Sequence, residues 1–388
     1  MAPLSGSGTS TSLPRSFDGW IGVTKNSMPR GQFGSKIGTE LRDERTARSV
    51  VREFRVKSRQ AFLKEQDYTL NLKVFSFLMS ESEKSLLQRK AAGDLEPFGE
   101  AGRFKDVLDI LKLNYTAGCS IEELIPLYGE VMTALGEWHT AEQEYSEWLA
   151  KKREEDLRLD MTPFEFEDLY HFQIAIDVVS LGVLLGDGDA LRQSALWMQS
   201  ARGTDLLFES LIEPAVPDPR DNADFFHVSP YDPLIDAFYT VETPDEASAK
   251  VKEYLDGWYK SFEGAPWHDG HLHAVEGEYM PYYGYWSFEA AAVCVIHGID
   301  DSTFRNHLLY PKDLADWART HHSLAHLKPG APKAEGADSR PNRVPGGEVR
   351  MVKCRSISCK ARARASISAV LQAQYSMAQS LDRGEQQA

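Results

Sequence analysis

Ser120–Thr140 read SIEELIPLYGEVMTALGEWHT, and this stretch decides the fold class. Its apolar side chains recur at steps of three and four residues, which places them on one face of a helix. They are Ile121, Leu124, Ile125, Tyr128, Val131, Met132, Leu135 and Trp138. Ser120 and Glu123 form the S-x-x-E capping box, in which each side chain satisfies a free backbone N–H. The stretch therefore predicts a long amphipathic helix that begins after Ser120.

Three glutamates lie on the opposite face of this helix. Glu123, Glu130 and Glu137 are spaced by seven residues, which is close to two helical turns, so they form one acidic stripe. A solvated surface is the simplest interpretation of such a stripe. The alternative is a surface that steers a basic partner toward the protein.

The rest of the central region has the same helical spacing. Helices are predicted over residues 45–66, 68–92, 103–115, 163–185, 245–262 and 284–299. In the fourth of these, Thr162 is expected to cap the helix and Pro163 to occupy its first position, with Gly186 and Gly188 after its end. Sustained strand alternation and a repeat of fixed period are both absent from the sequence. The predicted class is all-α, a two-part helical bundle.

Composition divides the chain into four segments. Residues 1–40, rich in Ser, Gly, Thr and Pro, are predicted to be a flexible leader, and residues 321–388 a disordered basic tail. Between them we predict an N-terminal helical bundle over residues 41–155 and a C-terminal helical domain over residues 156–320. The chain begins without a secretory signal and lacks an apolar run long enough to span a membrane, so the expected location is cytoplasmic.

Charge restricts the partners of the central region. The chain has a net charge of −15, but residues 41–320 alone carry 28 basic and 51 acidic side chains, a net charge of −23. Such a body repels nucleic acid and anionic membranes and attracts basic partners. The four cysteines are expected to be reduced, and Cys354 and Cys359 lack the second ligand pair of a zinc site.

The segment WHDGHLH offers the strongest pattern for a metal site. His268, Asp269, His271 and His273 lie within six residues, and imidazole and carboxylate groups are common metal ligands. Two features count against a metal site: Gly270 indicates that the segment is a loop, and nothing in the sequence orients the imidazoles. We predict no metal and no cofactor, with these four residues as the candidate set for a metal-dependent enzyme.

Two carboxylates lie inside apolar helices. Glu289 is flanked by Phe288 and Ala290, where an unpaired charge is costly, so Arg305, His307 or Lys312 is expected to pair with it. Asp177, inside IAIDVVSL, is expected to pair with a backbone group or an arginine. Structural ion pairs are favoured over a general base, because the common hydrolase, metalloprotease and phosphate-loop signatures are absent from the sequence.

Four stretches together resemble one known family. They are LKLNYTAGCSIEELIPLYGEV, SLGVLLG, YLDGWYKSFEGAPWHDGH and YYGYWSFEAAAVCVIHGIDDSTFRNHLLYPKDLADWAR, in this order along residues 111–319. They closely resemble the PoNi-type immunity proteins, helical bacterial proteins of the cytoplasm. The signature includes Gly257, Trp258, Tyr259, Lys260, Trp267, Asp269, Gly284, Tyr285, Trp286, Phe288, Glu289, Asp300, Asp301, Ser302, Arg305, His307, Tyr310, Pro311, Lys312 and Asp313.

The resemblance implies a non-enzymatic function. PoNi-type proteins neutralise PoNe-type DNase toxins of type VI secretion and other polymorphic-toxin systems, so the implied partner is a cognate nuclease, covered by an acidic surface. Trp286 and Phe288 are expected to be packing residues, with Glu289, Arg305 and Pro311 as further structural signature. The candidate toxin contacts are Trp258, Tyr259, Asp269, Asp300 and Asp301, with Glu123, Glu130 and Glu137 as steering charge. A helical adaptor for another protein is the alternative.

Overall fold

The computed structural model describes residues 57–93, 95–153, 163–273 and 280–329. These residues contain α-helices and two short 3-10 helices, and no β-strand occurs among them. The predicted all-α class is therefore confirmed. All the described residues fall in one compact unit, residues 50–388. The predictions for residues 1–40 and 330–388 lie outside the described part of the chain.

Three long helices come first in the described chain. They are α1 (Glu65–Ala91), α2 (Phe98–Ala117) and α3 (Ile121–Arg153). Helix α2 packs against both α1 and α3. The apolar positions predicted for α3 are buried, except Ile125, because α2 and its other neighbours cover that face. At the start of α3, the backbone N–H of Ser120 donates to Glu123 at 2.7 Å, which is one half of the predicted capping box.

Helix α4 (Leu169–Leu185) is the central buried element. Residues 172–184 are all buried, as the nearly continuous apolar sequence predicts, and α4 packs against several other helices. The helix ends at Gly186, which has a left-handed φ of 76°. Its predicted start at Pro163 was wrong, because Asp168 provides the cap and accepts hydrogen bonds from the N–H groups of Tyr170 and His171.

The chain continues through shorter helices. They are α5 (Gly188–Trp197), α6 (Leu206–Ile212), α7 (Val228–Tyr239), α8 (Pro244–Ser261), α9 (Phe288–His297), α10 (Lys312–His321) and α11 (Leu324–Leu327). Helix α8 begins with a complete capping box between Thr243 and Glu246. The 3-10 helices are Gln199–Ala201 and Gly270–His273. Among the described residues, no helix combines the length and the apolar composition required to span a bilayer.

Residues 58–64 are not helical, in contrast to the helix predicted over residues 45–66. Gln60 is buried and uses both ends of its amide: Nε2 donates to the carbonyls of Tyr285 (2.7 Å) and Leu308 (2.9 Å), and Oε1 accepts from the N–H of Tyr285 and the hydroxyl of Tyr282. A Cβ on Gly118 would lie 2.1 Å from the carbonyl oxygen of Lys57. These contacts hold the segment in a non-helical path of bends and turns.

The ordered chain extends past the boundary predicted at residue 320. Leu327 of α11 is fully buried, and its carbonyl accepts a hydrogen bond of 2.7 Å from Arg192. The ring of His322 contacts the carbonyl of Val183 at 3.0 Å. Residues 321–329 are therefore part of the folded body, and the predicted disorder does not apply to them.

Candidate functional site

The aromatic residues of the signature converge on one cluster. Trp258 of α8 stacks on Trp267 with ring centroids 5.2 Å apart, and Trp267 contacts Tyr285 at 5.6 Å. Trp286 and Phe288 are buried, as predicted, and both pack on Tyr115 of α2. The signature therefore describes, in the first place, how α8, α9 and the loop before α9 pack together.

Glu289 lies at the centre of this cluster and is 1% exposed. Its Oε1 accepts three hydrogen bonds, from the Tyr254 hydroxyl (2.6 Å), the Trp258 indole N–H (2.9 Å) and the Ser287 hydroxyl (2.9 Å). Burial, and secondly the negative charge of Asp177, raise the pKa of the Glu289 carboxyl to about 7.

The predicted cationic partner of Glu289 was wrong. The three candidate side chains contact other groups: Arg305 binds Asp301 and Asp316, Lys312 binds Asn306, and His307 lies 3.6 Å from Asp256. Arg305 and His307 lie between α9 and α10, and Lys312 is the first residue of α10. Neutral donors bind Oε1 instead, and Tyr254 and Trp258 reach it together because they are four residues apart on one face of α8. The second oxygen, Oε2, is buried and has no hydrogen-bond partner among the described residues.

Asp177 forms the ion pair that the sequence predicted, but with a different partner. Lys112 of α2 donates to its Oδ2 at 2.5 Å, so the expected arginine or backbone partner was wrong. Burial by itself would lower the pKa of Lys112. The negative charges of Asp177 and Asp109 have the larger combined effect, so the pKa of Lys112 is raised. Beside the pair is a cavity of about 10 Å³, lined in part by Gln173 and Trp267. Its volume suits about one water molecule.

The turn at residues 267–271 packs against the end of α8. The Tyr259 hydroxyl donates to Asp269 Oδ1 at 2.6 Å, and this hydrogen bond lowers the pKa of Asp269. Asp269 has a left-handed φ of 60° and is the one non-glycine residue with positive φ in the described chain. Its own N–H contacts the same hydroxyl at 3.2 Å. Tyr259 and Asp269 are thus held together at the surface.

The histidines of this turn have separate partners. The ring of His268 stacks on Tyr259 with centroids 4.1 Å apart, whereas His271 Nδ1 lies 2.7 Å from the Tyr285 hydroxyl. The side chain of His273 lies outside the described part of the structure. Within that part, no group of three or more His, Cys, Asp or Glu side chains is arranged to hold a metal ion.

Asp300 and Asp301 have different environments. Asp300 is exposed and accepts a hydrogen bond from the Ser302 hydroxyl at 2.5 Å. Asp301 is 4% exposed and accepts from Arg319 (2.6 Å), Tyr310 (2.9 Å) and Arg305 (3.0 Å). Burial opposes ionisation of Asp301, but Arg319, together with Tyr310 and Arg305, has the larger combined effect and lowers the pKa of Asp301.

Burial therefore separates the predicted contact residues into two groups. Trp258 and Asp301 lie inside the fold, where their polar atoms bind Glu289 and the two arginines, so they do not form part of a contact surface. Tyr259, Asp269 and Asp300 reach the surface. Asp300 lies near the start of α8, because the Ser248 hydroxyl donates to its backbone carbonyl. Tyr259 is 11 residues after Ser248 along α8, which corresponds to about 16 Å at 1.5 Å per residue.

The acidic stripe of α3 is exposed throughout. Glu123, Glu130 and Glu137 are all on the solvent face, and Glu144 continues the same seven-residue spacing. Glu137 contacts Arg103 of α2. Glu144 was not predicted, although the seven-residue spacing points to it. Tyr254 was not predicted either, and the signal for it is its position one turn before Trp258.

Comparison with known proteins confirms the resemblance over part of the chain. Residues 203–314 match the family model described as PoNe immunity proteins (PoNi), C-terminal. The crystal structure of protein PA2201 from Pseudomonas aeruginosa has a similar fold, with a TM-score of 0.55 and 18% sequence identity over 71% of this chain and 96% of that one. No curated protein matches the chain.

Proposed function

We propose that this protein is an immunity protein that binds and inhibits a cognate DNase toxin of a bacterial polymorphic-toxin or type VI secretion system. The observation that carries the proposal is the PoNi C-terminal region at residues 203–314. This region contains α6 to α9 and the Glu289 cluster. In this role the protein acts by binding and carries out no reaction of its own.

Electrostatic attraction supports this function. A DNase has to present cations to the phosphates of DNA, so an acidic protein is complementary to the surface that the enzyme uses. The exposed glutamates of α3 support this role, because charge complementarity of this kind chiefly increases the association rate. Inhibition then follows because the bound protein covers the groove that DNA would occupy.

The surface near α8 supplies the candidate contacts. Tyr259 and Asp269 are fixed to each other by a hydrogen bond, so little side-chain entropy is lost when a partner binds them. Asp300 adds a negative charge near the other end of α8. A stable complex of ordinary size buries about 1,600 Å² in total.

Co-expression tests the proposal directly. The candidate cognate nuclease is expressed in cells with and without this protein, and DNA integrity, survival and complex formation are measured. We expect intact DNA and a complex that survives purification. Binding without protection would favour an adaptor, whereas the absence of both would contradict the immunity function for this pair. A third result, stoichiometric metal in the purified protein, would favour the metal-dependent enzyme.

A further inference from the structure

A groove of about 1,100 Å³ lies between α1, α2 and α3, with Trp197 at the end of α5 among its lining residues. Four glutamates line it: Glu83, Glu100, Glu137 and Glu144. Two cations also line it, Lys90 and Arg103, and each contacts one of these glutamates. The charge of the groove is therefore negative on balance.

Glu100 differs from the other three glutamates because it is buried. It is 4% exposed, and its Oε1 lies 3.0 Å from the ammonium of Lys90, which is itself half exposed. Its Oε2 is buried and has no hydrogen-bond partner among the described residues. A buried carboxylate oxygen without a donor is costly, so this position favours a ligand that brings one.

Apolar groups lie beside this carboxylate. Trp197 is half-buried in the groove, and it approaches α3 closely because Gly136 has no side chain: a Cβ there would lie 2.9 Å from the indole. Leu87 also lines the groove and is 64% exposed. The binding energy of a protein interface is usually concentrated at such sites, where aromatic and apolar side chains surround a charged group.

We propose that this groove receives an apolar segment of the toxin that carries a lysine or arginine, whose cationic group pairs with the carboxylate of Glu100. The inference rests on the proposed function and deepens it by assigning the site of recognition. Charge complementarity selects a cationic segment, and the ring of Trp197 provides its apolar contact. The competing occupant is the basic segment of this chain at residues 350–364.

Two matched substitutions in the full-length protein test the proposal. Glu100→Gln keeps the shape of the side chain and removes its charge, and Glu147→Gln makes the same change on the exposed face of α3 outside the groove. The affinity of each variant for the purified cognate nuclease is measured, with urea unfolding to verify the fold. We expect Glu100→Gln to bind at least about 30-fold more weakly and Glu147→Gln to bind like the wild type.

The outcomes separate the two proposals. If the wild type forms a complex and Glu100→Gln binds equally well, the groove is not the recognition site, while the immunity function stands. If the wild type forms no complex, the immunity function fails and this inference fails with it.

A photoreactive amino acid in place of Thr133 gives a test that does not depend on the stability of a Glu100 variant. Thr133 is exposed and lines the groove. In the presence of the nuclease, crosslinks to a cationic segment of the nuclease would support the proposal. Crosslinks to residues 330–388 of the same chain would overturn it and assign the groove to the basic tail.

Discussion

Glu289 shows how a single buried carboxyl responds to pH. Its folded pKa of about 7 exceeds the usual value near 4.5, so the folded state binds the proton more tightly than the unfolded chain does. The contribution to stability is complete below pH 4.5 and is lost as pH rises toward 7. The loss is about 3 kcal/mol, from 1.36 kcal/mol per pKa unit.

Glu289→Gln is expected to remove this loss, because an amide does not titrate. The free energy of unfolding in urea, measured between pH 5 and pH 8, should fall less steeply for the variant than for the wild type. Glu147→Gln is the control and should keep the wild-type slope. Parallel pH profiles for Glu289→Gln and the wild type would contradict the raised pKa.

The residue scale is also where sequence-based prediction failed most clearly. Glu289 and Asp177 were correctly predicted to be buried and to bind a partner group, because each lies in an apolar helix. Their partners were wrong, since Lys112 precedes Asp177 by 65 residues and Tyr254 precedes Glu289 by 35. The choice of partner depends on how helices cross, and residue spacing within one helix carries no information about it.

At the scale of helices, α3 has two faces of different chemistry. Its apolar face packs on α2, and its solvent face carries the acidic stripe. Periodicity predicted both faces, because a helix of 3.6 residues per turn fixes which side chains lie together. The start of α4 was wrong by six residues, since Pro163 and Asp168 both satisfy the pattern of a helix start and only tertiary packing selects between them.

Reversal of the stripe tests its proposed role in association. The triple substitution of Glu123, Glu130 and Glu137 to Lys should slow association with the nuclease about 10-fold or more at low salt, while dissociation changes less. Stopped-flow measurements at several salt concentrations report both rates, and circular dichroism verifies the helices, because Glu123 also binds the N–H of Ser120.

A matched control separates local charge from total charge. Glu213, Asp221 and Glu253 are exposed on other elements, and their reversal to Lys changes the net charge by the same amount. We expect the control to keep most of the wild-type association rate. Equal slowing in both variants would show that total charge, and not the stripe, governs association.

At the scale of the whole molecule, the region that matches the PoNi family is held in place by contacts with residues before it in the chain. Thr116 of α2 donates to the carbonyl of Tyr283 and accepts from the indole of Trp286, and Arg59 binds Asp313 at 2.8 Å. After this region, α11 packs on α5. The groove at Glu100 depends on how the consecutive helices α1, α2 and α3 pack and on Trp197 of α5, so no pattern within one helix predicted it.

Leu327→Ala tests whether α11 is part of the folded body. Leu327 is fully buried, so its truncation should lower the free energy of unfolding by about 2–4 kcal/mol. The same substitution at Leu308, which is 48% exposed, is the control and should cost much less. Equal losses in urea unfolding would contradict the assignment of α11 to the core.

The amide of Gln60 has a consequence for the order of events during protein synthesis. Its hydrogen bonds reach Tyr285, 225 residues later in the chain, and Leu308, 248 residues later. At about 5–20 residues per second, a ribosome needs roughly 10–50 s to add the intervening residues, and during that time the amide lacks these native partners. The native structure around Gln60 therefore forms only after nearly all of the described chain has been translated.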